Sequence, residues 1–191
     1  DVVLVVTVVN GMNNDQVEPV VQFAIDNADK ITVVSFQPVA FTGRDEDISD
    51  SERARQRYTL SHLVHDLKSQ LGYFEPMRDW FPLSAMNPFS DLVDVKQGPD
   101  ADWGALKCGC HPNCGVGTAL LVHKRTKQAV PVASFVDVEQ LIVDLQQVAD
   151  AGRSPKWTMA QAGLAVLRNF RPEKAPAGFD ALQFEIGRAH V

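Results

Sequence analysis

A strand–helix–strand unit opens the chain, and it restricts the possible folds more than any other part of the sequence. Residues 2–9 form a continuous valine-rich run, and such a run is typical of a parallel strand buried on both faces. A helix is predicted over about 15–28, and a second strand follows over 31–36. Two strands joined by a helix pair in parallel, so we expect an α/β fold.

The remainder of the chain continues this mixture of helices and strands. Further helices are predicted over about 51–71, 87–95, 138–149 and 159–169, with Asp137 and Thr158 as caps of the last two. Residues 118–123 and 129–133 are predicted to be strands, and their short polar connection favours a hairpin. Near residues 182–186 the pattern allows one more short strand or helix.

Composition excludes several classes of function. A chain of 191 residues is long enough for one domain, or for one domain with an appendage. Its net charge of −6 leaves no basic stripe with which to neutralise nucleic-acid phosphates, so no nucleic-acid partner is expected. No apolar run approaches the ~20 residues of a membrane span. Because cysteines are not scattered along the chain, we expect a reducing, cytoplasmic compartment.

All three cysteines lie in one short loop, at Cys108, Cys110 and Cys114. Thiols this close cannot all pair into unstrained disulfides, whereas thiolates readily bind zinc and iron–sulfur clusters. His111 lies between them and is a candidate fourth ligand. We therefore expect a metal site here. It holds either an iron–sulfur cluster, or a zinc or mononuclear iron ion, and three unligated thiols remain the alternative.

Three sequence segments resemble one enzyme family. These are residues 7–13 (TVVNGMN), 35–44 (SFQPVAFTGR) and 111–118 (HPNCGVGT). In this order they resemble the second half of the partial barrel in radical S-adenosylmethionine (radical SAM) enzymes. The resemblance is greatest to the branch that includes tetraether lipid synthase and related radical SAM methylases.

This resemblance implies a fold in three parts. Residues 1–100 would be the C-terminal half of a partial (β/α) barrel, 101–150 a Cys-rich metal-binding loop with a hairpin and helix, and 151–191 a helical extension. The family's Cys-x3-Cys-x2-Cys motif is absent from this sequence. We therefore expect a portion of a longer enzyme that is inactive without its N-terminal part.

The same resemblance implies the cofactors and the reaction. They are S-adenosylmethionine and a 4Fe-4S cluster, reduced by a partner such as ferredoxin or flavodoxin. The reaction would use a 5′-deoxyadenosyl radical on an unactivated carbon, for methylation or carbon–carbon bond formation. Cofactor-binding residues are expected at the ends of the first two strands, and they are Thr7, Asn10, Gln37, Thr42, Gly43 and Arg44.

Simpler interpretations accompany these residues. Asn10, and Asn13 beside it, also suit an ordinary turn. Arg44 is also suited to an exposed ion pair with a neighbouring aspartate. His62 and His65 are expected to be surface or core histidines.

Two other functions compete with the enzyme hypothesis. One is a non-catalytic zinc- or iron-binding structural module, in which the Cys loop only stabilises the fold. The other is a flavodoxin-like nucleotide binder. That hypothesis is weakened because the loop after the first strand lacks the expected content of glycine, serine and threonine.

Overall fold

The computed structural model describes residues 2–41, 47–97, 111–151, 154–177, 179 and 184–190. Within these ranges the fold is mixed α/β, as predicted. The helices are α1 (Val17–Asp26), α2 (Asp50–Gln56), α3 (Leu60–Leu71), α4 (Pro76–Asp79), α5 (Asn87–Gln97), α6 (Val138–Asp150) and α7 (Pro155–Asn169). The strands are β1 (Val2–Val8), β2 (Ile31–Pro38), β3 (Phe81–Pro82), β4 (Val116–His123), β5 (Ala129–Pro131) and β6 (Phe184–His190).

Two compact units make up the chain. The first comprises Asp1–Trp80, Gly117–Pro131 and Asp180–Val191, and the second comprises Phe81–Val116 and Val132–Phe179. None of the helices in the described ranges combines the length and apolar character that a membrane crossing requires.

The first unit is built on a mixed sheet. β1 pairs in parallel with β2, and β2 pairs in parallel with β6. β4 runs antiparallel to both β6 and β5. The predicted strand–helix–strand unit and the predicted hairpin are both confirmed, and the segment that allowed a strand or a helix is a strand. The sheet establishes an α/β fold, while the partial barrel that the resemblance implies is not shown by it.

Helices cover one face of this sheet. α1 packs against β2 and against α3. Its buried residues Val17, Val21, Ala24 and Ile25 lie at helical spacing. They meet the sheet face of Val8 and Phe36, each of which is 1% exposed. Apolar burial on this face supplies the core of the unit.

The prediction that the first strand is buried on both faces is wrong. Val3 and Val5 are 53% and 61% exposed, and the register sets them opposite Val33 and Ser35 of β2. Side chains alternate between the two faces of a strand, so these residues point away from the face that α1 covers. The valine run therefore forms a strand with one buried face. In the described part of the chain, β1 pairs only with β2.

The predicted helix over 51–71 is in fact two helices. The chain turns into extended conformation at Arg57, and Tyr58 is buried with 4% exposure. Thr59 then caps α3: its side chain accepts a hydrogen bond from the His62 backbone N–H, and its own N–H donates to the His62 ring. This reciprocal cap starts a new helix and explains the break. His62 and His65 are both exposed, so their interpretation as surface histidines is confirmed.

The second unit packs α5, α6 and α7 together. The Asp137 cap of α6 is confirmed, because its carboxylate accepts from the Gln140 backbone N–H at 3.2 Å. The Thr158 cap is wrong. α7 begins at Pro155, whose fixed φ suits the first helical position, and Thr158 is buried inside the helix at 2% exposure.

Tyr73 lies in the first unit, between α3 and α4. Its ring contacts Phe74 at 4.8 Å between centroids, and Phe74 in turn contacts Trp80 at 5.5 Å. Burial, followed by the nearby negative charge of Glu18, raises the pKa of Tyr73 to about 12. In the unfolded state the pKa of this tyrosine is 10.0. The folded state therefore favours the neutral phenol more strongly than the unfolded state does.

We predict that Tyr73 makes stability depend on alkaline pH. Its stabilising effect is complete below pH 10 and is lost as the pH rises toward 12, because only the unfolded state ionises across that window. In Tyr73→Phe the free energy of unfolding should decline less steeply over this range than in the parent chain. Urea unfolding at several alkaline pH values measures both slopes, and equal slopes would contradict the assignment.

Candidate functional site

Two predicted cofactor residues meet at the carboxyl end of the parallel strands. Thr7 of β1 and Gln37 of β2 are direct partners in the register, and both are exposed. They continue the row of Val5 and Ser35, so they lie on the sheet face that α1 leaves uncovered. Ligands of open α/β sheets gather at this end of the strands. The arrangement can present a hydroxyl and an amide to one polar ligand.

Asn10 is partly engaged within the fold. Its side-chain amide donates a 3.0 Å hydrogen bond to the Arg55 carbonyl, and its backbone N–H donates to the Gln56 carbonyl at 3.4 Å. Both contacts join the loop after β1 to the end of α2. Asn10 therefore has a structural role, whatever else its amide oxygen binds.

Asn13 shapes the turn that follows β1. Its amide oxygen accepts from the Val9 N–H at 2.8 Å, and its amide nitrogen donates to the Thr7 carbonyl at 2.9 Å. Gly11 adopts a φ of 74° within the same turn, a left-handed conformation that favours glycine. The interpretation of Asn13 as a turn former is thus confirmed.

A half-buried carboxylate, which no sequence motif indicates, anchors this turn to α3. Asp66 accepts from the Tyr58 hydroxyl at 2.6 Å and from the Asn14 amide at 3.2 Å. Burial, and then the hydrogen bond to Asp66, raise the pKa of Tyr58. The hydrogen-bond partners of Asp66 are separated from it by up to 52 residues in sequence. No local sequence pattern therefore predicts these contacts. The one indication in the sequence was Tyr58, a residue with a hydroxyl group at an apolar position of the predicted helix over 51–71.

Gln70, one turn further along α3, completes the anchor. Its amide nitrogen donates to the Asn14 carbonyl at 2.9 Å, and its amide oxygen accepts from the Glu18 N–H at 3.1 Å. The second contact satisfies a donor in the first turn of α1, which would otherwise lack an intrahelical partner. Asp66 and Gln70 together fix the start of α1 and therefore the loop that carries Asn10 and Asn13.

In the Cys loop, the structure describes His111 and Cys114. Cys114 is exposed and forms no disulfide. Its backbone N–H donates to the His111 carbonyl at 2.8 Å, and the Asn113 N–H donates to the His111 ring nitrogen Nδ1 at 3.2 Å. With Nδ1 accepting, a neutral imidazole carries its proton on Nε2. In this conformation Cys114 suits metal ligation, and the Nδ1 of His111 is engaged by the Asn113 N–H.

The other predicted site residues cannot be placed. Cys108, Cys110, Thr42, Gly43 and Arg44 lie outside the described residues. Among those described, no three His, Cys, Asp or Glu side chains form a group able to hold a metal ion. The metal site predicted from the three cysteines therefore stays a prediction.

The direction of β4 places its first residues at the same end of the sheet as Thr7 and Gln37, which is the carboxyl end of β1 and β2. Gly117 of β4 is paired with His190 of β6, and His190 is paired with Ser35 of β2. Because β4 runs antiparallel to β6, its first residues lie where β1 and β2 end. In sequence, the Cys loop is the segment that leads into this strand.

The chain is similar to part of a curated methyltransferase. No protein-family model matches the chain. A curated dimethyltransferase is 27% identical over 168 residues, which cover 87% of this chain. It is 7,8-dihydro-6-hydroxymethylpterin dimethyltransferase of Methanocaldococcus jannaschii. The match covers 32% of that relative, so the chain spans about a third of its length.

We predict that Asn13, more than Asn10, holds the turn after β1. Asn13→Ala removes the partner of the part-buried Val9 N–H, and it should lower the free energy of unfolding by about 1–2 kcal/mol. Asn10→Ala is the matched control, because it loses only an exposed side-chain hydrogen bond and should cost about 0.5 kcal/mol. Urea unfolding followed by circular dichroism compares them. Equal losses would contradict the assignment.

Proposed function

We propose that this chain is the C-terminal portion of a radical SAM enzyme that transfers methyl groups or forms carbon–carbon bonds. The observation that chiefly supports the proposal is the exposed pair Thr7 and Gln37 at the carboxyl end of two parallel strands. The family resemblance assigns these same residues to cofactor binding. The match to a dimethyltransferase over most of the chain agrees with the methylase branch.

The sheet of the first unit suits half of a partial barrel. Helices α1 and α3 lie to one side, as the outer layer of a barrel does, and the row of Val3 and Val5 would face the interior. β1 offers its second edge to a further strand. In the proposed enzyme, the preceding part of a longer protein supplies that strand, which accords with a relative about three times the matched length.

The residues at the carboxyl ends of β1 and β2 would bind and orient the cofactor. Thr7 and Gln37 offer a hydroxyl and an amide to the polar groups of S-adenosylmethionine. By resemblance, Asn10 and the segment Thr42, Gly43 and Arg44 complete this pocket. S-adenosylmethionine, together with a reduced 4Fe-4S cluster, would supply the radical chemistry on an unactivated carbon. The chain's own task is to position the substrate and to exclude water.

The Cys loop would hold a second metal site. Cys108, Cys110 and Cys114 are the proposed thiolate ligands of an auxiliary 4Fe-4S cluster, with zinc or mononuclear iron as the alternative. Cys114 fits this role because its thiol is exposed and unpaired. His111 fits it poorly, since its Nδ1 accepts a backbone N–H. A ligand from the remainder of the enzyme is therefore the better candidate for the fourth position.

The setting of the enzyme follows from the same proposal. Its reductant would be a ferredoxin or a flavodoxin, and its compartment the cytoplasm, where thiolates stay reduced. The division into segments 1–100, 101–150 and 151–191 also remains a prediction. The relative's name makes a reduced pterin a reasonable first substrate to assay.

We predict that the 191-residue chain gains iron and acid-labile sulfide on anaerobic reconstitution. Cys114→Ser should lose most of both, because it removes one of three thiolates. His111→Ala is the matched control and should keep them, since its ring is occupied by the Asn113 N–H. Metal and sulfide analysis measures each chain. Stoichiometric zinc without sulfide would refute the assignment of an iron–sulfur cluster to this loop.

We predict that radical chemistry requires more than these 191 residues. The isolated chain should release no 5′-deoxyadenosine from S-adenosylmethionine under reducing conditions, because it lacks the Cys-x3-Cys-x2-Cys motif. Protein produced from the whole reading frame that encodes this chain should release it. In that protein, Thr7→Ala and Gln37→Ala should weaken cofactor binding, while Met77→Ala, at a position 97% exposed on α4, should not. No 5′-deoxyadenosine from the whole protein would refute the proposal.

A further inference from the structure

Asn14 connects the carboxylate of Asp66 to the backbone of the loop after β1. Its amide nitrogen donates to Asp66 at 3.2 Å, and its amide oxygen accepts from the Gly11 N–H at 2.8 Å. A carboxylate only accepts hydrogen bonds, so the nitrogen of the Asn14 amide must face Asp66. The oxygen of the amide must then face Gly11. The position of Asp66 on α3 therefore determines which way the Asn14 side chain is turned.

The backbone of Asn14 is held by the same helix. Gln70 of α3 donates to the Asn14 carbonyl at 2.9 Å. Because both its backbone and its side chain are bound to α3, Asn14 has little freedom to move relative to that helix. The Gly11 N–H consequently donates to an acceptor that α3 keeps in place.

This contact fixes the direction of the peptide group between Asn10 and Gly11. The described peptide bonds are all trans, and in a planar trans peptide the N–H and the C=O point in opposite directions. Since the Gly11 N–H points to Asn14, the Asn10 carbonyl points away from it. Within the described ranges, no N–H or O–H group donates to this carbonyl oxygen. The loop after β1 thus offers a ligand a backbone acceptor of defined direction.

We propose that Asp66 is a positioning residue for ligand binding at the carboxyl end of β1. Acting through Asn14, it aims the Asn10 carbonyl at an amino group of the bound ligand. The inference rests on the proposed function, in which the ligand is S-adenosylmethionine. That molecule carries one amino group on its adenine and another on its methionine part, and either can donate to a carbonyl.

A purely structural role for Asp66 is the alternative, and Tyr58 separates the two roles. Asp66 also accepts from the Tyr58 hydroxyl at 2.6 Å, a contact that does not involve the loop after β1. Tyr58→Phe removes this hydrogen bond and leaves the one to Asn14. If Asp66 only stabilises the fold, Tyr58→Phe and Asp66→Ala should affect binding in the same way. If Asp66 positions the loop, only Asp66→Ala should weaken binding.

Cofactor binding and hydrogen exchange test the proposal in protein produced from the whole reading frame. Anaerobic equilibrium dialysis with labelled S-adenosylmethionine measures the dissociation constant. Hydrogen exchange followed by mass spectrometry measures the protection of residues 9–14. Asp66→Ala should raise the dissociation constant about tenfold and speed exchange in this segment. Tyr58→Phe is the matched control and should change neither, although it lowers the free energy of unfolding.

An exchange of donor and acceptor gives a stricter test. Asn14→Asp alone brings two carboxylates together where a 3.2 Å hydrogen bond now lies, and it should weaken cofactor binding as Asp66→Ala does. Combining it with Asp66→Asn restores one donor and one acceptor, while residue 14 keeps an oxygen for the Gly11 N–H. The double variant should therefore bind the cofactor nearly as well as the parent protein.

The outcomes separate this inference from the proposed function. If the parent protein binds S-adenosylmethionine and Asp66→Ala binds it equally well, the inference is overturned and the proposed function stands. Equal weakening by Tyr58→Phe, or a double variant as weak as Asn14→Asp, would overturn the inference in the same way. A parent protein that binds no S-adenosylmethionine would refute the proposed function, and the inference with it.

Discussion

The parallel pairing of β1 with β2, covered by helices on one face, is the constraint on which the first unit depends. The covered face takes Val8 and Phe36 into the core with α1. Alternation along the strands then obliges Val3, Val5 and Thr7 to occupy the other face. The packing of α1 on one face of these strands thus determines both the core and the position of the candidate cofactor residues.

A single carboxylate keeps that geometry in place. Asp66 receives hydrogen bonds from Tyr58 and Asn14, which are far apart from each other in sequence. An acceptor with two donors is well satisfied, and removing it would leave two polar groups in a part-buried site without a partner. The loop after β1 therefore depends on hydrogen bonds to α3.

The sequence predicted local features well and distant contacts poorly. The strand–helix–strand unit, the hairpin and the Asp137 cap depend on spacing within a few residues, and the structure has all three. The two-sided burial of residues 2–9 failed because a valine run looks the same whether one face or both are covered. The break at Arg57 was hidden because the residues on both sides of it form helix, and what separates the two helices is the cap between Thr59 and His62. The pairing of Thr7 with Gln37 follows from parallel strands, whereas the role of Asp66 depends on tertiary contacts that no local pattern encodes.

Gly163 lies inside helix α7 and has a consequence for its backbone. Glycine inside a helix costs about 0.5–1 kcal/mol relative to alanine, because it loses more conformational freedom on folding. A methyl group at this position would meet nothing within 4 Å, so alanine would fit the single chain without a clash. Helix α7 is therefore less stable with glycine at this position than it would be with alanine. What the glycine leaves instead is open space beside the backbone of α7 at this position.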